Sequence, residues 1–127
     1  MSSCVLDASA ALAVLREEPG ASLVVSRKVG SLISAVNFAE VLGRMVQLGM
    51  EVDQAWRAAA LVTREVIDFD HRQARIAAEL LPHTRALGLG LGHRACLALA
   101  IHRKLPVLTA DKAWKSLRVG VEIRVIR

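Results

Sequence analysis

Aromatic side chains are scarce: Trp, Phe and Tyr together make up 3% of the 127 residues. That argues against a protein that grips single strands by stacking bases on rings. It also leaves the core to Ala, Leu, Val and Ile, and a hydrophobic fraction of 54% supplies enough of them without disulfides. Cysteine is limited to Cys4 and Cys96, each isolated in apolar sequence, with no C-x-x-C and no metal-like spacing. Two buried thiols in a reducing compartment are expected. No H-E-x-x-H is present. The opening Met1-Ser2-Ser3-Cys4-Val5-Leu6-Asp7 has no basic stretch of the kind that begins a signal peptide. No apolar run approaches transmembrane length, so a soluble cytoplasmic protein with no membrane contact is expected. Acids are outnumbered, 12 against 17 Lys and Arg, for a net charge of +5. A basic surface suits an anionic partner, nucleic acid first, although it also serves plain solubility.

The length fits one domain, residues 1–127. Short apolar runs alternate with helical stretches along it. Cys4-Val5-Leu6 lacks polar alternation, as a strand buried on both faces does, and it ends in Asp7. Helices are predicted over 8–16 and 21–29, separated by Glu17-Glu18-Pro19-Gly20. Ser31 to Ser34 is a second strand, followed by a helix over 36–48. A further helix is predicted over 52–64, then a strand over 66–69. Asp70 is placed to cap a helix over 71–81, which Pro82-His83-Thr84 breaks. Residues 86–92 form a flexible glycine-rich loop, 92–104 a helix, 106–108 a strand, 111–117 a short helix and 121–126 a last strand. This alternation predicts an α/β fold of about five mainly parallel strands with helices on both faces.

Three acids interrupt apolar sequence at element ends. Asp7 follows the first strand, Asp111 follows the strand at 106–108, and Glu40 lies early in the helix after the second strand. In a parallel sheet, all three positions lie at the carboxyl edge, where such sheets place ligands. Carboxylates gathered there repel and need a cation or a proton between them. A hard divalent cation accepts a few carboxylates and keeps positions for phosphate oxygens. Ser9 and Thr109 put hydroxyls beside the acids, and Asn37, one turn before Glu40, is placed to hold its carboxylate. Each residue also has a plainer reading. Asp7 and Asp111 can cap helices, Glu40 can be a solvated helix residue, and Ser9, Asn37 and Thr109 can be local hydrogen-bonders.

The stretches V-L-D-A-S-A at 5–10, I-S-A-V-N-F-A-E-V at 33–41 and L-P-V-L-T-A-D-K-A-W at 105–114 resemble PIN-domain ribonucleases. VapC toxins of bacterial toxin–antitoxin pairs are the most similar of these. The resemblance runs through nearly the whole chain in order. It implies a three-layer α/β/α PIN-like fold and Mg²⁺- or Mn²⁺-dependent endonucleolytic cleavage of RNA of the tRNA or rRNA class. It implies that Asp7, Glu40 and Asp111 are metal-site acids, with Ser9, Asn37 and Thr109 in support. It also implies a homodimer and a cognate VapB-type antitoxin.

One position departs from that pattern. Where the family carries an Asp between the glycine-rich loop and R-A-C-L-A-L-A, this chain has His93. The resemblance therefore assigns His93 to the metal site and the catalytic set. A carboxylate is favoured at a helix N-terminus and an imidazolium is not. A neutral imidazole suits Mn²⁺ or Zn²⁺ better than Mg²⁺. Weakened Mg²⁺ binding and reduced cleavage are expected. A rival reading is an impaired nuclease that still binds antitoxin or RNA. Another is a phosphoryl-transfer domain with Asp7 phosphorylated, although Asp7-Ala8-Ser9 lacks the D-x-D arrangement. Arg94 and Lys112 are candidate phosphate contacts. His71, His83 and His102 are expected to be surface or structural.

Overall fold

The computed structural model describes residues 3–127; Met1 and Ser2, which begin the segment read above for a leader, lie outside the described residues. Five strands form one sheet: β1 (Cys4–Leu6), β2 (Ser31–Ser34), β3 (Glu65–Ile67), β4 (Val107–Thr109) and β5 (Ile123–Val125). Their order is β3-β2-β1-β4-β5 and every pairing is parallel. Seven α-helices accompany it among the described residues: α1 (Ala8–Leu15), α2 (Ala21–Ser26), α3 (Ala35–Gln47), α4 (Val52–Ala60), α5 (His71–Glu79), α6 (Leu81–Thr84) and α7 (Leu91–Arg103).

Alternation along the strands sorts the core into two layers. Cys4, Leu6, Ile33 and Leu108 face one side, with Ala10, Ala13, Val24, Phe38, Val41 and Ala59 from α1 to α4. Val5, Leu32 and Val107 face the other, with Cys96, Leu97, Leu99 and Ala100 of α7 and with Trp114. Central strands buried on both faces explain the unbroken apolar runs. Each wholly buried Leu or Val contributes about 2 kcal/mol from transfer alone. Burial from Ala95 to Ala100 leaves α7 without a polar face over that stretch, which is why it reads as a helix that is apolar all round.

Several boundaries differ from the sequence expectation, and each has a local cause. The helix expected over 21–29 stops at Ser26, whose hydroxyl donates to Leu23 O, and a tighter 3₁₀ turn follows at Lys28–Gly30. The helix expected to reach Arg64 ends at Ala60. Thr63 is buried and donates to Ser31 O, and Arg64 N donates to Ser31 O as well, so the chain enters β3 early. β3 also ends early, because Asp68 O accepts from the Gln73 side chain in the turn before α5. Asp70 caps α5 as expected, accepting from Gln73 N at 2.9 Å. That bond holds its carboxyl below the usual range. The cap therefore stabilises at neutral pH and weakens as pH falls through the lowered value. Pro82 breaks no helix by itself; it sits in the first turn of α6, where its missing N–H costs nothing. A 3₁₀ turn at Arg85–Leu87 shortens the expected loop, and α7 starts at Leu91. The segment after Asp111 is 3₁₀ rather than α, over Lys112–Ser116. The last strand is confined to Ile123–Val125.

The chain end is locked to the α1–α2 turn. Gly20 has φ 95°, and a Cβ built there would fall 2.7 Å from Ile126 O. Gly20→Ala is expected to cost about 3 kcal/mol from the left-handed backbone and the clash together. A urea midpoint unchanged by that substitution would show that Ile126 does not pack there. Among the described residues no helix is long and apolar enough to cross a membrane.

Candidate active site

The strand order places the site. Chain connections leave β1 toward β2 on one side, while β4 joins it on the other. The sheet's topological switch therefore lies between β1 and β4, the place where parallel sheets form a crevice beyond the strands' carboxyl ends. Asp7 and Asp111 follow these two strands directly or after one residue.

Asp7 is 2% exposed. Its Oδ2 accepts from Ser9 Oγ at 2.7 Å and from Thr109 Oγ1 at 3.0 Å. The same two hydroxyls accept in turn, Ser9 from Ala110 N at 2.9 Å and Thr109 from Asp111 N at 3.1 Å. With both hydroxyl protons committed to Asp7, the Thr109-Ala110-Asp111 turn is pinned to the end of β1. Asp7 Oδ1 is buried and has no partner. Asp7 occupies the N-cap position of α1 but makes no side-chain capping bond. Asp111 does act as a cap, accepting from Ala113 N at 3.0 Å through Oδ1.

A second arm reaches the crevice from α3 and α7. Asn37, wholly buried, donates from Nδ2 to Glu40 Oε1 at 2.9 Å and to Gly92 O at 2.8 Å. Those bonds fix the amide's orientation and leave Asn37 Oδ1 buried without a partner. A Cβ at Gly92 would lie 2.6 Å from Glu40 Cδ, so a side chain there would push the flexible Glu40 carboxylate aside. Beside it His93 stands in the first turn of α7, its ring edge-on to Trp114 with centroids 5.4 Å apart. His93 Nδ1 is buried and unpartnered.

Beneath these groups lies Cys96, wholly buried. Its thiol is pushed well up, first by burial and then by the negative charges of Asp7 and Glu40. One thiol thus senses both carboxylates.

Asp7, Ser9 and Thr109 are brought together, as are Asn37 and Glu40, with His93 next to Gly92. Among the described residues, no three His, Cys, Asp or Glu side chains converge closely enough to hold a metal ion between them. The orphaned Asp7 oxygen nevertheless has the chemistry of a cation ligand. The donor set fits a hard ion that takes one or two carboxylates and keeps its waters. Arg94 is partly buried and spends Nη1 on Ala77 O at 3.0 Å, whereas Lys112 is exposed. His71, His83 and His102 are exposed. Two residues that shape the site had no role in the sequence reading. Gly92 was legible only as one glycine of G-L-G-L-G, and Trp114 only as the end of a motif.

A family model described as PIN domain matches residues 4–120. No curated protein gives a significant match. Similar solved structures include a toxin–antitoxin complex from Klebsiella pneumoniae, with 17% identity, a TM-score of 0.76 and 98% of each chain covered. DNA-bound VapBC from Salmonella typhimurium gives 16% identity, a TM-score of 0.72 and full coverage of both chains. VapBC-5 from Mycobacterium tuberculosis gives 25% identity and a TM-score of 0.61, covering 100% of this chain and 99% of that one.

Proposed function

The chain belongs to the PIN-domain family of nucleases, and from that premise we propose that it is a VapC-type endoribonuclease toxin whose activity is held down by His93. The carrying observation is the buried, unpartnered Asp7 Oδ1 at the switch between β1 and β4. An ionised carboxylate there is costly unless positive charge meets it. Asp7 would be a direct ligand of a Mg²⁺ or Mn²⁺ ion, with Glu40 and Asp111 meeting the waters the ion keeps. Bound there, the ion supplies charge neutralisation for the scissile phosphate and lowers the pKa of water.

The chain's own residues do the positioning. Ser9 and Thr109 fix which Asp7 oxygen faces the crevice. Asn37 holds Glu40 and ties it to the start of α7. Lys112, exposed next to Asp111, is placed to meet backbone phosphate of tRNA or rRNA. Arg94 has other donors left for the same purpose, although Nη1 is committed to Ala77. The net charge of +5 favours such a substrate. Incubating the protein with total tRNA and with rRNA, in Mg²⁺ or Mn²⁺ with and without EDTA, tests the reading. Discrete EDTA-sensitive fragments are expected, with Mn²⁺ supporting more cleavage than Mg²⁺. Metal-independent cleavage would overturn it.

His93 also favours a second reading, a PIN domain that retains binding and has lost cleavage. Retained partner binding with intact RNA in every metal selects it.

The partner surface fits an antitoxin. Several of the similar structures are VapBC complexes. On this chain Val52 and Trp56, one turn apart on α4, are more than half exposed. A VapB-type antitoxin covering α4, on a homodimer of this chain, accounts for it. A reducing cytoplasmic setting accords with the two free cysteines. Gly92→Ala is expected to push the Glu40 carboxylate off Asn37 and lower cleavage about tenfold, a misplacement effect, while antitoxin binding is unchanged. Equal cleavage by that variant would mean that Glu40 has no part in the site.

A further inference from the structure

His93 is partly exposed, yet its Nδ1 is shut away with no partner. The accessible nitrogen of the ring is therefore Nε2. A ligating imidazole usually donates its other N–H to a carboxylate, a carbonyl or a water, and that bond fixes the ring. Nδ1 of His93 has no such bond. What lies against the ring instead is Trp114, with centroids 5.4 Å apart and planes at 86°. Edge-to-face contact of this kind is a preferred geometry for aromatic pairs. Trp114 is wholly buried, and its own Nε1 has no partner either. The two rings are thus oriented by each other and by the apolar layer that holds Trp114 with Cys96, Leu97 and Leu99. Trp114 is in turn fixed by the backbone that carries the acids. Its N donates to Asp111 O at 3.2 Å, and its O accepts from Leu117 N at 3.0 Å. Asp111 N donates to Thr109 Oγ1, and that hydroxyl donates to Asp7. The ring against His93 belongs to the same pinned turn as Asp111.

We propose that Trp114 is a positioning residue for His93, holding the imidazole so that Nε2 meets a cation and Nδ1 keeps the proton. This rests on the reading that position 93 belongs to a metal site. A neutral imidazole that ligates through one nitrogen carries its hydrogen on the other. On Nδ1 that hydrogen finds no oxygen, and the Trp114 ring is the weak acceptor beside it. His93 is then a ligand oriented by packing, and a less basic one than an imidazole backed by a carboxylate. Because Trp114 and Asp111 share one turn, the ring also sets where His93 stands relative to the acids at the ends of β1 and β4.

Zn²⁺ alone is the probe, added to the full chain with isotope-labelled histidine and followed through the ring nitrogens by NMR. His93 is identified by the signals lost in His93→Asp. In the parent chain Nε2 is expected to shift as a metal-bound nitrogen while Nδ1 stays protonated. Trp114→Phe keeps a ring and loses the indole N–H; it should preserve both the ligating nitrogen and the Zn²⁺ affinity. Trp114→Leu should bind Zn²⁺ about tenfold more weakly, as when an orienting partner of a ligand is lost, and its His93 nitrogens should report mixed tautomers. Leu99→Ala loosens the same layer, so it should melt lower and yet bind Zn²⁺ as the parent does. Ligation through Nδ1 in the parent overturns the proposal, whether or not Trp114→Leu folds. So does an equal loss of affinity in Trp114→Leu and Leu99→Ala, which makes Trp114 plain core. A His93 signal that Zn²⁺ leaves unmoved overturns it as well; EDTA-sensitive RNA cleavage by the same preparation would then leave the nuclease reading standing.

Discussion

Replacing His93 by Asp is expected to raise Mg²⁺-dependent RNA cleavage by roughly a hundredfold, equivalent to about 2.7 kcal/mol at the transition state. Three effects point the same way. The substitution adds a negative charge to the proposed metal site of Asp7, Glu40 and Asp111. It replaces an imidazole, which suits softer ions, by an oxygen ligand. It also puts an acid in the first turn of α7, which has none and where the helix dipole favours one. The cost falls on the metal-free protein, in which a further carboxylate repels the others. His93→Asp should therefore melt lower than the parent chain in EDTA and gain more from added Mg²⁺, because a ligand that binds only the folded state stabilises it. Thermal melts in EDTA and in Mg²⁺ read this apart from activity. Equal Mg²⁺ gains in melting and equal cleavage by the two proteins would show that position 93 does not touch the metal site.

Asp7→Asn should separate function from stability. The change keeps an oxygen to accept from Ser9 and Thr109 and removes only the charge. Cleavage is expected to fall about a thousandfold, as when a principal electrostatic group is lost. Without metal the fold should become more stable by about 1–2 kcal/mol, because a buried charge without a counter-ion is replaced by a neutral amide. Activity and stability moving in opposite directions mark a residue kept for chemistry rather than for the fold. A loss of stability in EDTA would instead make Asp7 structural, an anchor for the Thr109-Ala110-Asp111 turn. Urea midpoints and RNA cleavage, measured on the same preparations, decide between these outcomes.

The features readable from sequence were those set locally. Cys4-Val5-Leu6 is unmixed apolar sequence because β1 is central and buried on both faces, and its end at Asp7 is visible for the same reason. Asp70 announced α5, since capping depends on residues three apart. The hydroxyls of Ser9 and Thr109 were read correctly as companions of Asp7. What stayed hidden depends on contacts between distant parts of the chain. α4 stops where it does because Thr63 and Arg64 bond to Ser31. Arg94 read as a candidate phosphate contact, yet its link to Ala77 depends on how α5 packs on α7. Gly92 leaves room for the carboxylate of Glu40, 52 positions earlier. Trp114 supports His93 only once β4 returns the chain to the start of α7.

Cys4 and Cys96 lie on opposite faces of the sheet. Burial raises both thiols, Cys96 the more, which disfavours the thiolate that alkylating reagents attack. Labelling must wait for an opening event, and each cysteine reports a different one. Cys4 is released when the α1–α4 layer lifts from the sheet, and Cys96 when α7 does. Timed alkylation read by peptide mass would therefore work as two stopwatches in one molecule. Because Cys96 lies under Asp7 and Glu40, its clock should slow when a cation joins those two arms, reporting site occupancy without any substrate.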